Sequence, residues 1–221
     1  MGPEASLEYY EKLISMAKER LPEGRYPELI IYNLNFEDFC KPATSGKDEQ
    51  VFSVLKKKLF GLERAGADFT LMASNTPHAY YDQLEPILTI PLLSIVEATA
   101  KVARERGYER LGLMGTKITT TSGFYRKPFE EKGIEVAVPE ESDLEFLNQK
   151  IMKELVEGKF LESTRRGLVE ITEKLIKDEG AEAIILGCTE LPMILSEELI
   201  GAPVLDTTQI HVEAAFDFAF D

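Results

Sequence analysis

The chain of 221 residues carries 39 acidic against 25 basic side chains, a net charge of −14, with 44% hydrophobic and 29% charged residues. This is the composition of an ordinary globular protein whose size favours two domains, and its negative field argues against binding nucleic acid or anionic membranes through bulk electrostatics. No apolar run approaches the roughly 20 residues of a membrane span, no secretory leader pattern opens the chain, and two cysteines and two histidines without a Cys-x-x-Cys pair leave no basis for a structural zinc site.

In chain order, Pro3 to Arg20 has a helical pattern, Glu28 to Asn33 reads as a strand, Asp48 to Ala65 as a helix, and Phe69 to Ala73 and Pro91 to Ile95 as strands. The second half opens with the buried strand Arg110 to Gly115, followed by a helix over Gly123 to Lys132 and a strand over Ile134 to Val138. Helical patterns then run over Ser142 to Gly158 and Glu162 to Glu179, before strands at Ala183 to Gly187 and Pro203 to Asp206. Short apolar runs alternating with helix periods predict parallel sheets in right-handed βαβ units, with sites at the carboxyl ends of the strands. The fold class is α/β. A boundary near Ala98 to Gly107 divides a first domain, 1–97 with 207–221 returning to it as a helix, from a second at 98–206.

The chain also repeats itself. Gly66-Ala67-Asp68-Phe69-Thr70-Leu71-Met72-Ala73-Ser74-Asn75-Thr76 aligns without a gap on Gly180-Ala181-Glu182-Ala183-Ile184-Ile185-Leu186-Gly187-Cys188-Thr189-Glu190, about half the chain later. Each copy reads as a helix-ending Gly, a buried strand and a tight turn of small polar residues. Two similar half-molecules are implied, and if they face each other, Ser74 opposes Cys188 across one cleft. The second half begins with a strand and the first directly on a helix, so an apolar strand is expected upstream of Met1; its loss would leave unpaired sheet edges.

Four segments carry a resemblance. Met1-Gly2-Pro3-Glu4-Ala5, Ser74-Asn75-Thr76-Pro77-His78, Thr116-Lys117-Ile118-Thr119 and Gly187-Cys188-Thr189-Glu190, in that order and on predicted strand ends, resemble the aspartate/glutamate racemase family, particularly its aspartate racemase branch, across essentially the whole chain. The resemblance implies two similar domains, each with a mostly parallel four-stranded sheet flanked by helices, an active site between them, and a strand ending in Gly-Gly ahead of Met1. It implies cofactor-independent racemisation of an acidic amino acid, with no pyridoxal phosphate and no metal, in a cytoplasmic homodimer. One thiolate removes the α-proton while a thiol on the opposite face returns one. Carried over by residue, Cys188 and Ser74 are the catalytic pair, and Gly2, Pro3, Asn75, Thr76, Thr116, Thr119, Thr189 and Glu190 bind substrate. The turns' backbone amides and hydroxyls would hold the α-carboxylate. A helix following Cys188 would lower its pKa and leave it part thiolate.

The chain departs from the family at Ser74, where the family has its first cysteine. A serine hydroxyl is a far weaker acid than a thiol and does not serve alone as a comparable base at neutral pH. Three readings stand open: slow or one-sided racemisation with Ser74 as a relay, a single-cysteine decarboxylase in which Cys188 protonates a carbanion, or a non-catalytic homologue that binds an amino acid or dicarboxylate. Lys41, Lys159, Arg165 and Arg166 are candidates to recognise an acidic side chain, weighed against solvated surface charge. His78, four residues after Ser74, is placed to tune a proton-transfer group. Cys40 lies in an unpatterned Phe-rich loop and reads as structural, His211 reads as packing in a carboxyl-terminal amphipathic helix, and Thr119, Thr120 and Thr121 are balanced against a solvated helix start.

Overall fold

The computed structural model describes residues 3–220. The chain divides into two compact units, Met1–Ser94 with His211–Asp221, and Ile95–Ile210. Among the described residues, no helix is long and apolar enough to cross a membrane.

The first unit contains α1 (Pro3–Arg20), α2 (Phe36–Thr44), α3 (Asp48–Arg64), the short parallel strands β1 (Thr70–Leu71) and β2 (Leu92–Leu93), and the short helix α4 (Tyr81–Leu84) between them. The sequence signals that start and stop α1 are Pro at its first position, Glu4 in its first turn and Lys18 and Arg20 in its last, each matched to the exposed backbone groups and dipole of a helix end. Two expectations fail here. Cys40 sits in α2 rather than in a loop, because the Asn35 side chain caps the helix by accepting from the Glu37 amide, a local signal that apolar periodicity does not register. Glu28–Asn33 is not a strand, and the sheet of this unit has two described strands instead of the expected larger set. A strand exists only through a neighbour to pair with, and the backbone of residues 27–33 has none among the described residues.

The second unit contains α5 (Ile95–Glu105), β3 (Arg110–Gly115), α6 (Lys117–Thr121), α7 (Arg126–Glu130), β4 (Glu135–Ala137), α8 (Glu141–Lys153), α9 (Glu162–Lys177), β5 (Ala183–Gly187), α10 (Glu197–Ile200) and β6 (Val204–Asp206). The last helix, α11 (Thr207–Phe220), gives its first residues to this unit and the rest to the first. All four strands run parallel in the order β4-β3-β5-β6, the doubly covered arrangement that continuous apolar runs demand. One face packs Met114, Ile184 and Leu186 against Leu147, Ile151 and Leu168 of α8 and α9. The other packs Leu111, Leu113 and Ile185 against α5 and against Tyr125 and Phe129. Each fully buried Leu or Ile there stabilises the unit by roughly 1.5–3 kcal/mol. The helix expected over Gly123 to Lys132 is shorter, α7 alone, and a further short helix, α6, precedes it, the two separated at Gly123, whose φ of 80° favours glycine. The helix expected over Ser142 to Gly158 ends at Lys153 and tightens into a 3₁₀ turn, Leu155–Glu157.

Candidate active site

The carboxyl ends of β3 and β5 build the site of the second unit. Gly115 pairs with Gly187, so Thr116 and Cys188 leave the sheet side by side. Both glycines are required by close approach: a Cβ at Gly187 would lie 2.9 Å from the Met114 carbonyl oxygen, and one at Gly115 3.1 Å from the Thr119 methyl. Small residues therefore let α6 sit tightly over the strand ends.

At the start of α6, the Thr116 hydroxyl accepts from the Thr119 amide at 3.4 Å and lies 3.0 Å from the Thr119 hydroxyl. Asn148 on α8 accepts from the Lys117 amide at 2.9 Å and anchors the same turn from outside; no sequence signal pointed to it. Thr119 and Thr120 are buried and Thr121 is exposed, so only the end of this turn is solvated.

Cys188 is followed by the short 3₁₀ turn Leu191–Met193 rather than by a long helix. Its thiol donates to a Glu190 carboxylate oxygen at 2.9 Å, and the Thr189 hydroxyl donates to that same oxygen at 2.8 Å. Thr189 and Glu190 are buried, and Cys188 keeps part of its surface open. Burial, the neighbouring Glu190 charge and the hydrogen bond to it push the thiol well above its ordinary pKa, against a smaller opposing pull from the Glu190 and Thr189 amides. This direction runs against the expectation of a part-thiolate Cys188: burial first, and then the Glu190 carboxylate, outweigh the local backbone dipoles and favour the thiol. Glu190, expected to bind substrate, lies against the thiol and accepts its hydrogen bond. Behind β5, the Thr207 hydroxyl donates to the Leu186 carbonyl at 2.9 Å, and Asp206 accepts from the Thr208 and Gln209 amides to cap α11.

In the first unit, β1 is followed by the turn at Ser74, whose amide donates to the Met72 carbonyl at 2.7 Å. Among the described residues the Ser74 hydroxyl has no hydrogen-bond partner, so it is not a helix cap. Asn75 is buried, and Thr76 opens the 3₁₀ turn Thr76–Tyr80. The His78 Nδ1 lies 2.9 Å from the Ser74 carbonyl oxygen. A carbonyl only accepts, so Nδ1 carries the proton in the neutral ring. The His78 ring stacks on Tyr81 and meets His211 edge-on, and His211 Nδ1 lies 2.8 Å from the Tyr9 hydroxyl. Burial lowers the His78 pKa to about 4; burial and then the His78 charge lower that of His211 to about 3. His211 is packed as expected, and this Tyr9–His211–His78 group, invisible at sequence separations of this size, backs the Ser74 turn.

Other predicted residues lie apart. Gly2 falls outside the described residues, and Pro3 begins α1. Three of the four basic candidates pair locally, Lys41 with Glu37 at 3.1 Å, Lys159 with Glu157 at 2.5 Å and Arg165 with Glu162 at 2.7 Å, so those three charges are already answered at the surface; Arg166 lies beside Arg165 in α9. Cys40 packs beside Phe39 and Leu55, and burial raises its thiol.

The family model for Asp/Glu/hydantoin racemases matches residues 1–215. A crystal structure of an aspartate racemase homologue from Pyrococcus horikoshii OT3 is 37% identical, covers 99% of this chain and 95% of its own, and superposes with a TM-score of 0.84. The broad specificity amino-acid racemase RacX of Bacillus subtilis (strain 168) is 25% identical over 94% of this chain and 90% of its own length. The Picrophilus torridus aspartate racemase, 23% identical over 99% of this chain and 90% of its own with a TM-score of 0.76, shares the fold. With parallel strands ending in a thiol beside a carboxylate, and a family match over residues 1–215, the chain belongs to the Asp/Glu/hydantoin racemase family.

Proposed function

We propose that the protein is a cofactor-independent racemase of an acidic amino acid, aspartate or glutamate, with Cys188 as its main acid/base. The observation that carries this reading is the contact of the Cys188 thiol with the Glu190 carboxylate at 2.9 Å. A thiol at rest is not a base, but a hydrogen-bonded carboxylate can take its proton as substrate arrives. Glu190 becomes a carboxylic acid, the Cys188 thiolate removes the α-proton and is again a thiol, and the electron pair of the broken C–H bond remains on the α-carbon and its carboxylate. The hydroxyls of Thr116, Thr119 and Thr189 and the turn amides are the groups this reading assigns to the substrate carboxylate, whose charge grows in the transition state.

Inversion needs a second proton donor, and the reading gives that role to Ser74 in place of a thiol. Donation by a hydroxyl to a strongly basic carbanion is downhill; removal of a proton by it is slow. Enantiomers have equal free energy, so kcat/KM must be equal in the two directions, and the serine slows both. Its signature is exchange of the α-proton of one enantiomer with retention, faster than inversion. Support for an acidic substrate comes from the names of the relatives, and a cytoplasmic homodimer is the matching expectation.

The test is deuterium incorporation at Cα of L- and D-aspartate and glutamate in heavy water, followed by proton NMR with Cys188→Ala as control. Cys188-dependent exchange is expected. Its absence from all four substrates in a folded protein would overturn the reading. The raised pKa of Cys188 favours one alternative, in which the thiol only protonates a carbanion left by decarboxylation of a substituted malonate; carbon dioxide release with no α-proton exchange would establish it.

A further inference from the structure

Asn148 takes part in no step of the proposed reaction, yet it grips the turn that carries two of its groups. α8 is fixed on the sheet by Leu144, Leu147 and Ile151, all buried, and Asn148 stands half-buried at the edge of that apolar stripe. Its side-chain oxygen accepts from the Lys117 amide at 2.9 Å, an ordinary hydrogen-bond length. One turn earlier on the same face of α8, Glu145 lies 3.6 Å from the Lys117 ammonium, an exposed and therefore weak ion pair. Of these two links from α8, the Asn148 bond is the one that fixes the position of the turn.

α6 needs that grip. It has five residues, too few to hold a helix by its own backbone bonds. Its own cap is weak as well, since the Thr116 hydroxyl accepts from the Thr119 amide at 3.4 Å, longer than the usual range. On the sheet side there is no slack: a Cβ at Gly115 would already lie 3.1 Å from the Thr119 methyl. The turn is thus pressed on the strand ends from below and held from the side by Asn148. These two restraints set where the Thr116 and Thr119 hydroxyls stand, 3.0 Å apart. Gly115 pairs with Gly187, so the hydroxyls follow one strand end and Cys188 follows its neighbour.

We propose that Asn148 is a positioning residue of the active site, which by holding the Lys117 amide keeps the Thr116 and Thr119 hydroxyls in place for the substrate carboxylate. The inference rests on the catalytic reading, which assigns the carboxylate to those hydroxyls. The position requires an acceptor, because Lys117 is the first residue of α6 and its amide has no partner within the helix. Asp keeps an acceptor oxygen there and Ala removes it.

The experiment follows the kinetics of deuterium incorporation at Cα of L- and D-aspartate and glutamate by the parent, Asn148→Ala and Asn148→Asp, all in a Cys40→Ser background. Asn148→Ala is expected to raise KM by about 10-fold, because displaced hydroxyls bind the carboxylate less well and KM reports binding when chemistry is slow. Asn148→Asp should stay within about 3-fold of the parent, since it can accept the same bond. Amide hydrogen exchange at Lys117 should quicken by about 10-fold in Asn148→Ala alone. Iodoacetamide labelling of Cys188 should be equal in all three proteins, and a changed rate in Asn148→Ala would overturn the proposal by showing that Asn148 acts on the thiol. A lowered urea midpoint in Asn148→Ala with the parent's KM would overturn it as well, leaving Asn148 a role in stability alone, and so would an equal rise of KM in Asn148→Asp. A parent that exchanges no α-proton from any of the four substrates strikes the catalytic reading and this inference with it, whereas failure of the inference alone leaves the parent active.

Discussion

Cys188 and Glu190 show why residue type alone does not define a catalytic group. The thiol is held protonated by burial and by the carboxylate that accepts its proton, so its nucleophilicity at neutral pH is low. In a Cys40→Ser background, alkylation of Cys188 by iodoacetamide is expected to be slow at pH 7.5, and Glu190→Gln should accelerate it by about 10-fold, because removing the charge lowers the thiol pKa. Slower or equal labelling in Glu190→Gln would show that the carboxylate does not control the thiol. Cys188→Ala is expected to cut α-proton exchange by about 10²–10⁴, the usual worth of a general acid/base group. Ser74→Cys supplies a second thiol and should raise inversion by about 10-fold or more, measured as the rate of loss of optical rotation. Ser74→Ala should abolish inversion while retaining exchange of one enantiomer, and unchanged inversion in that variant would remove Ser74 from the chemistry.

At the scale of elements, the same strand-turn unit serves twice with different outcomes. Gly66 and Gly180, equivalent in the repeat, both adopt positive φ, 93° and 70°, after α3 and α9, and each reverses the chain into a strand. After β5 the paired glycines bring α6 close to the Cys188 turn. Gly187→Ala forces a Cβ towards the Met114 carbonyl and is expected to cost about 1–3 kcal/mol, read as a lowered urea midpoint with an unchanged slope, and to lower Cys188-dependent exchange as the ends of β3 and β5 are pushed apart. A midpoint equal to that of the parent would show that the strand ends can separate freely. Residues 28–33 have the apolar content of a strand but no paired neighbour among the described residues, and β1 pairs with β2 over two residues only.

For the whole molecule, the charged and titratable groups are unevenly shared. Both histidines lie in the first unit, neutral and buried, with pKa values of about 4 and about 3 against an ordinary 6.5. Unfolding lets them take up protons, so the unfolded state binds more protons than the folded one below pH 6.5. The stability they contribute is present above that pH and falls as the solution is acidified towards pH 4, by about 2 kcal/mol per histidine at pH 5. In the second unit the shifted acids are Glu154, lowered by its bonds to Lys150 and Thr164, and Glu182, lowered by the Glu109 and Arg110 amides, and their contribution is lost only on falling below the ordinary carboxylate value of 4.5. Hydrogen exchange corrected for its intrinsic pH dependence should therefore show the first unit losing protection between pH 6.5 and 5 while the second holds. His78→Gln with His211→Gln should flatten that dependence, and uniform loss across both units would contradict the assignment.

The sequence by itself determined the elements whose signals are local or repeated. Alternating apolar runs marked β3, β5 and β6, helix-end chemistry bounded α1 and α3, and the Gly66/Gly180 repeat placed Ser74 and Cys188 on equivalent turns after equivalent strands. These follow from periodicity and from the backbone needs of helix and strand ends, which neighbouring residues carry with them. Three features were decided only by tertiary structure. Whether residues 28–33 pair depends on a partner backbone, whether Cys188 is thiol or thiolate depends on where the Glu190 carboxylate turns and how much water remains, and the Tyr9–His211–His78 group joins residues at opposite ends of the chain. Pairing and desolvation depend on the distance between groups in space, and an apolar pattern reports only which residues favour burial, not what they meet when buried.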